Sequence, residues 1–331
     1  MAQTSYAYAA ARVAVMQTRM LTGERLNSML QAPNAQEAFR LLAEALPGAA
    51  QMTDPGGYER LLGDQLRAAY EEARAMAPGE VAVEVLSAKY DFYNLKALLK
   101  ARYAGKDGAE LLIRAGMTPV EALQEAVSTG DGRMLPAALA SAMAEAEALF
   151  ALSPNPQALD ILFDRAWVAD GFARIGKRGN DTIRQYLTDL VDMKNIATVL
   201  RIRRSGAASE QLGRILLPGG AVDLQTLSEG LGAVLSEWTG RFAAYGWSEP
   251  VREGVAAFER TGSIAALERL CENYLLDVFR RKRYELTTVE PIIGYLLGQE
   301  SQIAAIRAVM VAQLNGLDRE TLGERLRELY V

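Results

Sequence analysis

The sequence predicts an all-α fold made of three similar helical domains, and three observations carry that prediction. Nearly every long segment repeats its apolar residues with helical period. No run of alternating β-branched residues bounded by turn signals interrupts it. A short pattern also recurs: Asp91-Phe92-Tyr93-Asn94-Leu95-Lys96-Ala97-Leu98-Leu99 returns as Asp192-Met193-Lys194-Asn195-Ile196-Ala197-Thr198-Val199-Leu200, and Ile303-Ala304-Ala305-Ile306-Arg307-Ala308-Val309-Met310 falls on the same frame. Asn195 follows Asn94 by 101 positions and Ala305 follows Asn195 by 110, intervals too long for a solenoid and suited to small domains. The expected division is 1–116, 117–220 and 221–331.

The helix boundaries follow from their punctuation. Asn34 with Glu37 three residues on, and Thr118 followed by Pro119 and Glu121, place a side-chain oxygen over free backbone N–H groups. Ser263 before Ile264 and Asp318 before Arg319 repeat the device. Gly48, Gly105, Gly130, Gly206 and Gly316 sit just past apolar-periodic runs, where a left-handed terminal residue is easiest for glycine. Each copy of the pattern then lies in the second of two long helices: 58–76 with 80–104, 157–174 with 181–205, and 263–286 with 289–314. A shorter helix is expected after each pair. A second block supports the repeat, because Leu111-Leu112-Ile113-Arg114-Ala115-Gly116 aligns with Ile215-Leu216-Leu217-Pro218-Gly219-Gly220 at an offset of 104.

Packing is the physical content expected of the pattern. Leu95, Leu98, Leu99 and Arg102 fall at helical spacing, so the leucines form an apolar stripe with the arginine at its end. Asp91 and Asn94 lie a turn apart on the neighbouring face, placed to hydrogen-bond the end of the partner helix. Ile196, Val199 and Leu200 repeat the frame in the second copy, as do Ile303, Ile306 and Arg307 in the third.

Composition narrows the function classes. A formal charge of −5, from 36 basic and 41 acidic residues, gives no general attraction to nucleic acid or anionic lipid. Histidine is absent and Cys271 is the single cysteine, which removes histidine triads, the usual zinc sites and any internal disulfide. The first residues lack a secretory signal, so a cytoplasmic, reducing compartment is expected. Val289 to Leu314 is the most apolar long stretch, but Gln299, Glu300, Gln302, Arg307 and Gln313 interrupt it as a membrane span.

Several motifs suggest chemistry and lose to plainer accounts. Gly171-Phe172-Ala173-Arg174-Ile175-Gly176-Lys177-Arg178 nearly matches a Walker loop, but arginine stands where a hydroxyl must hold Mg²⁺, and the preceding Ala158 to Asp170 reads as helix where a strand is required. Asn180 or Asp181 then caps the next helix. Asp189 with Asp192, and Asp160 with Asp164, share helix faces as metal ligands do, yet lack a second supporting cluster. Arg280-Arg281-Lys282-Arg283-Tyr284 and Arg201-Ile202-Arg203-Arg204 sit at predicted helix C-termini, where cations oppose the dipole. Contact with an acidic protein surface is the second account of Arg280, Arg281, Lys282 and Arg283. Cys271, among Leu267, Leu270, Tyr274 and Leu275, reads as a packing residue.

Taken in order, several fragments resemble the C subunit of bacterial and archaeal V/A-type rotary ATPases, the counterpart of the eukaryotic d subunit. They are Tyr6-Ala7-Tyr8-Ala9-Ala10-Ala11-Arg12-Val13, Lys89 to Arg102, the copy around Asp192 and Asn195, Leu216-Leu217-Pro218-Gly219-Gly220, and Pro291-Ile292-Ile293-Gly294-Tyr295-Leu296-Leu297 running into Glu300 to Arg307. The third copy departs, with Gln302 and Ala305 where the others have aspartate and asparagine. The resemblance implies a non-catalytic rotor part without cofactor or metal. It implies three helical domains in a pseudo-threefold funnel, seated between a shaft of the D and F proteins and cytoplasmic loops of the proteolipid ring. Such a part passes torque for H⁺ or Na⁺ transport at the cytoplasmic face of the membrane. On the residues alone, a helical scaffold outside any rotary machine and a metal-dependent helical enzyme using the aspartate pairs stay open.

Overall fold

The computed structural model describes residues 6–46, 54–206, 212–317, 326 and 328–331. Among these residues there are fifteen α-helices and no strand. In order they are α1 (Ala7–Gln17), α2 (Gly23–Gln31), α3 (Ala35–Ala45), α4 (Tyr58–Met76), α5 (Val81–Tyr103), α6 (Val120–Thr129), α7 (Ala137–Leu152), α8 (Pro156–Arg178), α9 (Asp181–Ser205), α10 (Leu212–Ile215), α11 (Leu224–Glu229), α12 (Leu235–Gly240), α13 (Ser248–Thr261), α14 (Ala265–Arg281) and α15 (Glu290–Asn315). The all-α expectation holds, and the three long pairs are α4 with α5, α8 with α9, and α14 with α15.

Local chemistry explains most boundaries. Asn34 Oδ1 accepts Glu37 N–H at 2.9 Å and Asn180 Oδ1 accepts Ile183 N–H at 3.0 Å, both satisfying first-turn donors. Ser263 Oγ accepts from Ala265 N at 3.3 Å. Thr118 differs from expectation: α6 starts after Pro119 with no side-chain cap, because Thr118 turns to Asp91 instead. Gly130, Gly206 and Gly316 end α6, α9 and α15 at φ of 71°, 65° and 63°. The helix α14 stops at Arg281, short of the expected 286, and the chain turns through Lys282 to Val289 before Pro291 opens the first turn of α15. The readings at Gly48 and Asp318 lie outside the described residues.

The chain divides into two compact units, one of Gly79–Thr198 with Gly206–Ser228, the other of Met1–Pro78, Val199–Ser205 and Glu229–Val331. The border expected after residue 116 falls inside the first of these. There α5 packs against α6, α7 and α8. Its Phe92, Leu95 and Leu99 meet Leu123, Leu139, Met143 and Phe163 in one apolar cluster, and Tyr103 stacks on Phe150 with ring centroids 3.7 Å apart. In the other unit, α15 is the buried axis, packed by α1, α2, α3, α4 and α14. Its neighbours hold it with polar contacts as well: Arg307 pairs with Glu59 at 2.8 Å, and Tyr70 donates to Glu300. No helix among the described residues is long and apolar enough to cross a membrane.

Helices α5, α9 and α15 are buried on most of their circumference, so core truncation there is expected to be costly. Leu99→Ala should lower unfolding stability by about 2–5 kcal/mol. Met134→Ala, at a residue 92% exposed, should change it by less than about 0.5 kcal/mol. Chemical denaturation of both variants checks the pair; equal losses would place Leu99 outside the core.

Candidate functional site

The repeated polar residues grip the loop that follows their own helix. Asn94 makes a two-way bond with one residue: its Nδ2 donates to Ile113 O and its Oδ1 accepts Ile113 N–H, both at 2.8 Å. The second copy reproduces it, Asn195 bonding Leu217 O at 3.0 Å and Leu217 N–H at 2.8 Å. Asp91 accepts Met117 N–H at 3.1 Å and Thr118 N–H at 2.9 Å; Asp192 accepts Ala221 N–H at 3.1 Å and Val222 N–H at 3.0 Å. The expected target, the end of the partner helix, is therefore corrected to this loop. Gly116 and Gly220 permit the approach, since a Cβ on either would collide with the Asp91 or Asp192 carboxylate.

Eight residues beyond each asparagine position, a third side chain reaches the end of the next short helix. Arg102 donates to Val127 O in the last turns of α6 at 2.6 Å. Arg203 donates to Gly230 O at 3.0 Å and Ala233 O at 2.7 Å, just past α11. On α15 the equivalent is Gln313, whose Nε2 donates to Met29 O, Leu30 O and Ala32 O at 3.3, 3.0 and 3.1 Å, at the end of α2. Gln302, at the aspartate position, accepts Leu21 N–H at 2.6 Å, just before α2 begins. In the third copy α2 thus stands where α6 and α11 stand in the others, and the gripped segment comes from the opposite end of the sequence.

Burial acts strongly on both aspartates. It pushes Asp91 and Asp192 up to about 6, outweighing the backbone N–H bonds that pull each carboxyl down. Nearby Arg174 pulls on Asp91, while Asp189 pushes Asp192 further up.

The other candidates are engaged in holding the fold. Lys96 pairs with Asp164 at 3.0 Å and Lys100 with Asp160 at 3.0 Å, while Gln185 donates to Asp189 at 2.8 Å. No group of three or more metal-ligating side chains gathers among the described residues. The Walker-like stretch is helical through Arg178. Arg201 pairs with Glu268, and Arg204 donates to Gly262 O. Cys271 is buried.

The α14–α15 junction joins paired basic residues to an exposed surface. Arg280 pairs with Glu328 at 3.1 Å, Arg281 with Asp277 at 2.5 Å, and Lys282 with Glu290 at 3.0 Å. Arg283 lies over the ring of Tyr284, 4.8 Å from its centroid. Arg281 still shows 81% of its side chain to solvent, beside exposed Tyr284 and Leu286.

These features define a class: an all-helical chain in which repeated long helices clamp the loops that follow them, with surface loops at the helix junctions. The chain belongs to the ATP synthase (C/AC39) subunit family, whose model matches residues 9–325. It is 22% identical over 274 residues to the C subunit of the V-type sodium ATPase of Enterococcus hirae, covering 82% of this chain and 83% of that protein. It is 23% identical over 354 residues to the C subunit of the A-type ATP synthase of Methanocaldococcus jannaschii, covering 98% and 86%. With the same protein of Thermococcus gammatolerans it shares 25% identity over 357 residues, covering 98% and 90%.

Asn195 is buried and Leu217 half-buried, so Asn195→Ala should cost about 1–3 kcal/mol by leaving both Leu217 backbone groups without this partner. A pH test follows from Asp192, whose folded value of about 6 lies above the ordinary 3.8. The folded chain then holds this proton more tightly than the unfolded chain, so the contribution of this group to stability falls as pH rises from about 4 to 6, and the full cost of the charge is present above that. Relative to Asp192→Asn, the unmodified chain should lose unfolding stability across that window and show no further relative change above about pH 7. Denaturation at a series of pH values reads it out; a constant difference would mean that the Asp192 pKa is the same folded and unfolded.

Proposed function

We propose that this chain is the non-catalytic central-stalk component of a V/A-type rotary ATPase, a socket joining the D–F shaft to the membrane proteolipid ring. Membership of the ATP synthase (C/AC39) subunit family over residues 9–325 is the observation that carries this reading. The clamped modules support it, because a part that passes torque needs close-packed elements of low compressibility. In this reading each of α5, α9 and α15 anchors one module. The α14–α15 junction, with Arg281 and Lys282, contributes to partner contact, since loops on rigid helices commonly carry function. The chain works at the cytoplasmic face as a peripheral part of the complex, and ATP hydrolysis and ion translocation reside on other polypeptides.

Native mass spectrometry of the purified chain mixed with the D and F proteins of the same organism tests the assignment. The expected result is a discrete complex with one copy of each that survives moderate salt. A free chain beside a normally formed shaft pair would remove the socket role and favour a scaffold outside the rotor. Charge reversal at Arg281 and Lys282 should weaken binding to shaft or ring, and unchanged affinity for both would exclude that junction.

A further inference from the structure

The segment Glu328–Val331 lies along α14 and α15 without helical structure, yet its Tyr330 is 0% exposed. Two glycines one turn apart on α15 make room for the ring. A Cβ on Gly298 would lie 2.7 Å from Tyr330 Cβ and Cγ, and one on Gly294 would collide with its hydroxyl. That hydroxyl donates to Phe279 O of α14 at 3.4 Å. Met20 completes the wall, its methyl group lying 3.0 Å from where the Gly298 Cβ would stand.

Side chains hold the main chain of this segment. Glu328 N–H donates to Asn273 Oδ1 at 3.0 Å, and Ser301 Oγ donates to Glu328 O at 2.9 Å. Arg280 donates to Leu329 O at 2.7 Å and pairs with the Glu328 carboxylate at 3.1 Å. Asn273 and Ser301 are themselves buried, so these partners are preset. Proteins recognise extended peptides in this way: main-chain hydrogen bonds supply affinity, and a pocket for one side chain supplies specificity.

We propose that the groove between α14 and α15 is a peptide-binding site for an extended segment of the form Glu-Leu-Tyr-Val, with Glu328–Val331 as its tethered ligand. Tethering keeps the site filled through high effective concentration, so a free peptide enters only when the native segment is weakened. The proposal is independent of the rotor reading, because every group it uses lies on this chain.

The test uses the full-length chain carrying Tyr330→Ala and a fluorescent peptide with the sequence of residues 326–331. Saturable binding to the variant is expected, with binding to the unmodified chain weaker by at least about tenfold and a similar loss for a peptide whose own tyrosine is replaced by alanine. Equal binding to both chains, or none to a variant that retains its helical circular dichroism, overturns the proposal. A second variant keeps the test decisive if Tyr330→Ala does not fold. Gly298→Ala in the full chain should expel the ring and speed hydrogen exchange at the Glu328 amide by at least about tenfold, leaving the Leu99 amide unchanged. Unaltered protection at Glu328 in that variant overturns the proposal equally.

Discussion

The architecture rests on one constraint: backbone groups of loops laid against a buried helix need hydrogen-bond partners that the helix backbone cannot supply. Helices α5 and α15 are buried on most of their circumference, and their own N–H and C=O groups are used within the helix. A loop crossing such a surface must be met by side chains. Asp91 and Asn94 on α5, and Asp192 and Asn195 on α9, are those side chains, and each carboxylate or amide serves two backbone groups. The aspartates carry charge into apolar surroundings to do this, which is why burial raises their pKa. An unpartnered buried peptide group would cost about 1–3 kcal/mol, so these buried polar residues are structural necessities.

The clamp acts at both ends of the helix that follows. In the first copy, Asp91 fixes the approach to α6 and Arg102 holds the Val127 carbonyl in its last turn. A short helix held at both ends by one long helix moves with that helix as a body. This is the property that connects the residue pattern with the coupling role proposed above: the repeated placement of buried polar groups yields stiffness between neighbouring elements, and such a role would require stiffness.

Much of this was legible in the sequence. The all-α class, the three long pairs and the caps at Asn34 and Asn180 follow from period and capping chemistry, which act over a few residues. The repeat was legible too, down to the 104-residue offset that pairs Ile113 with Leu217. What the two blocks do for each other was not, because a repeat reports that positions are equivalent and says nothing of which positions touch. Arg102 and Arg203 read as an apolar stripe's end and a dipole-opposing cation, although their constant spacing from Asn94 and Asn195 was the available signal. Gln313 carries the same spacing from Ala305, but the change from arginine to glutamine hid it. Tyr330 had no signal of its own; the glycines at 294 and 298 mark a close approach only once its partner is known.

The third copy departs from the others for a topological reason. Asn94 and Ile113 are 19 residues apart and Asn195 and Leu217 are 22, so each clamp closes a short loop. Gln302 and Leu21 are separated by 281 residues. Loop-closure entropy grows with the logarithm of length, and for an unstructured chain this difference amounts to roughly 2 kcal/mol against the third clamp. Its polar grip is also thinner, since Ala305 offers no amide. The compensation is visible on the same helix: Gln313 takes three carbonyls where Arg102 takes one, Arg307 pairs with Glu59, and Ser301 with Gly294 and Gly298 receives Glu328 and Tyr330. A module whose gripped segment lies 281 residues away cannot rely on local closure, so its fastening is distributed over more contacts, several made by residues that the repeat pattern alone would class as mismatches.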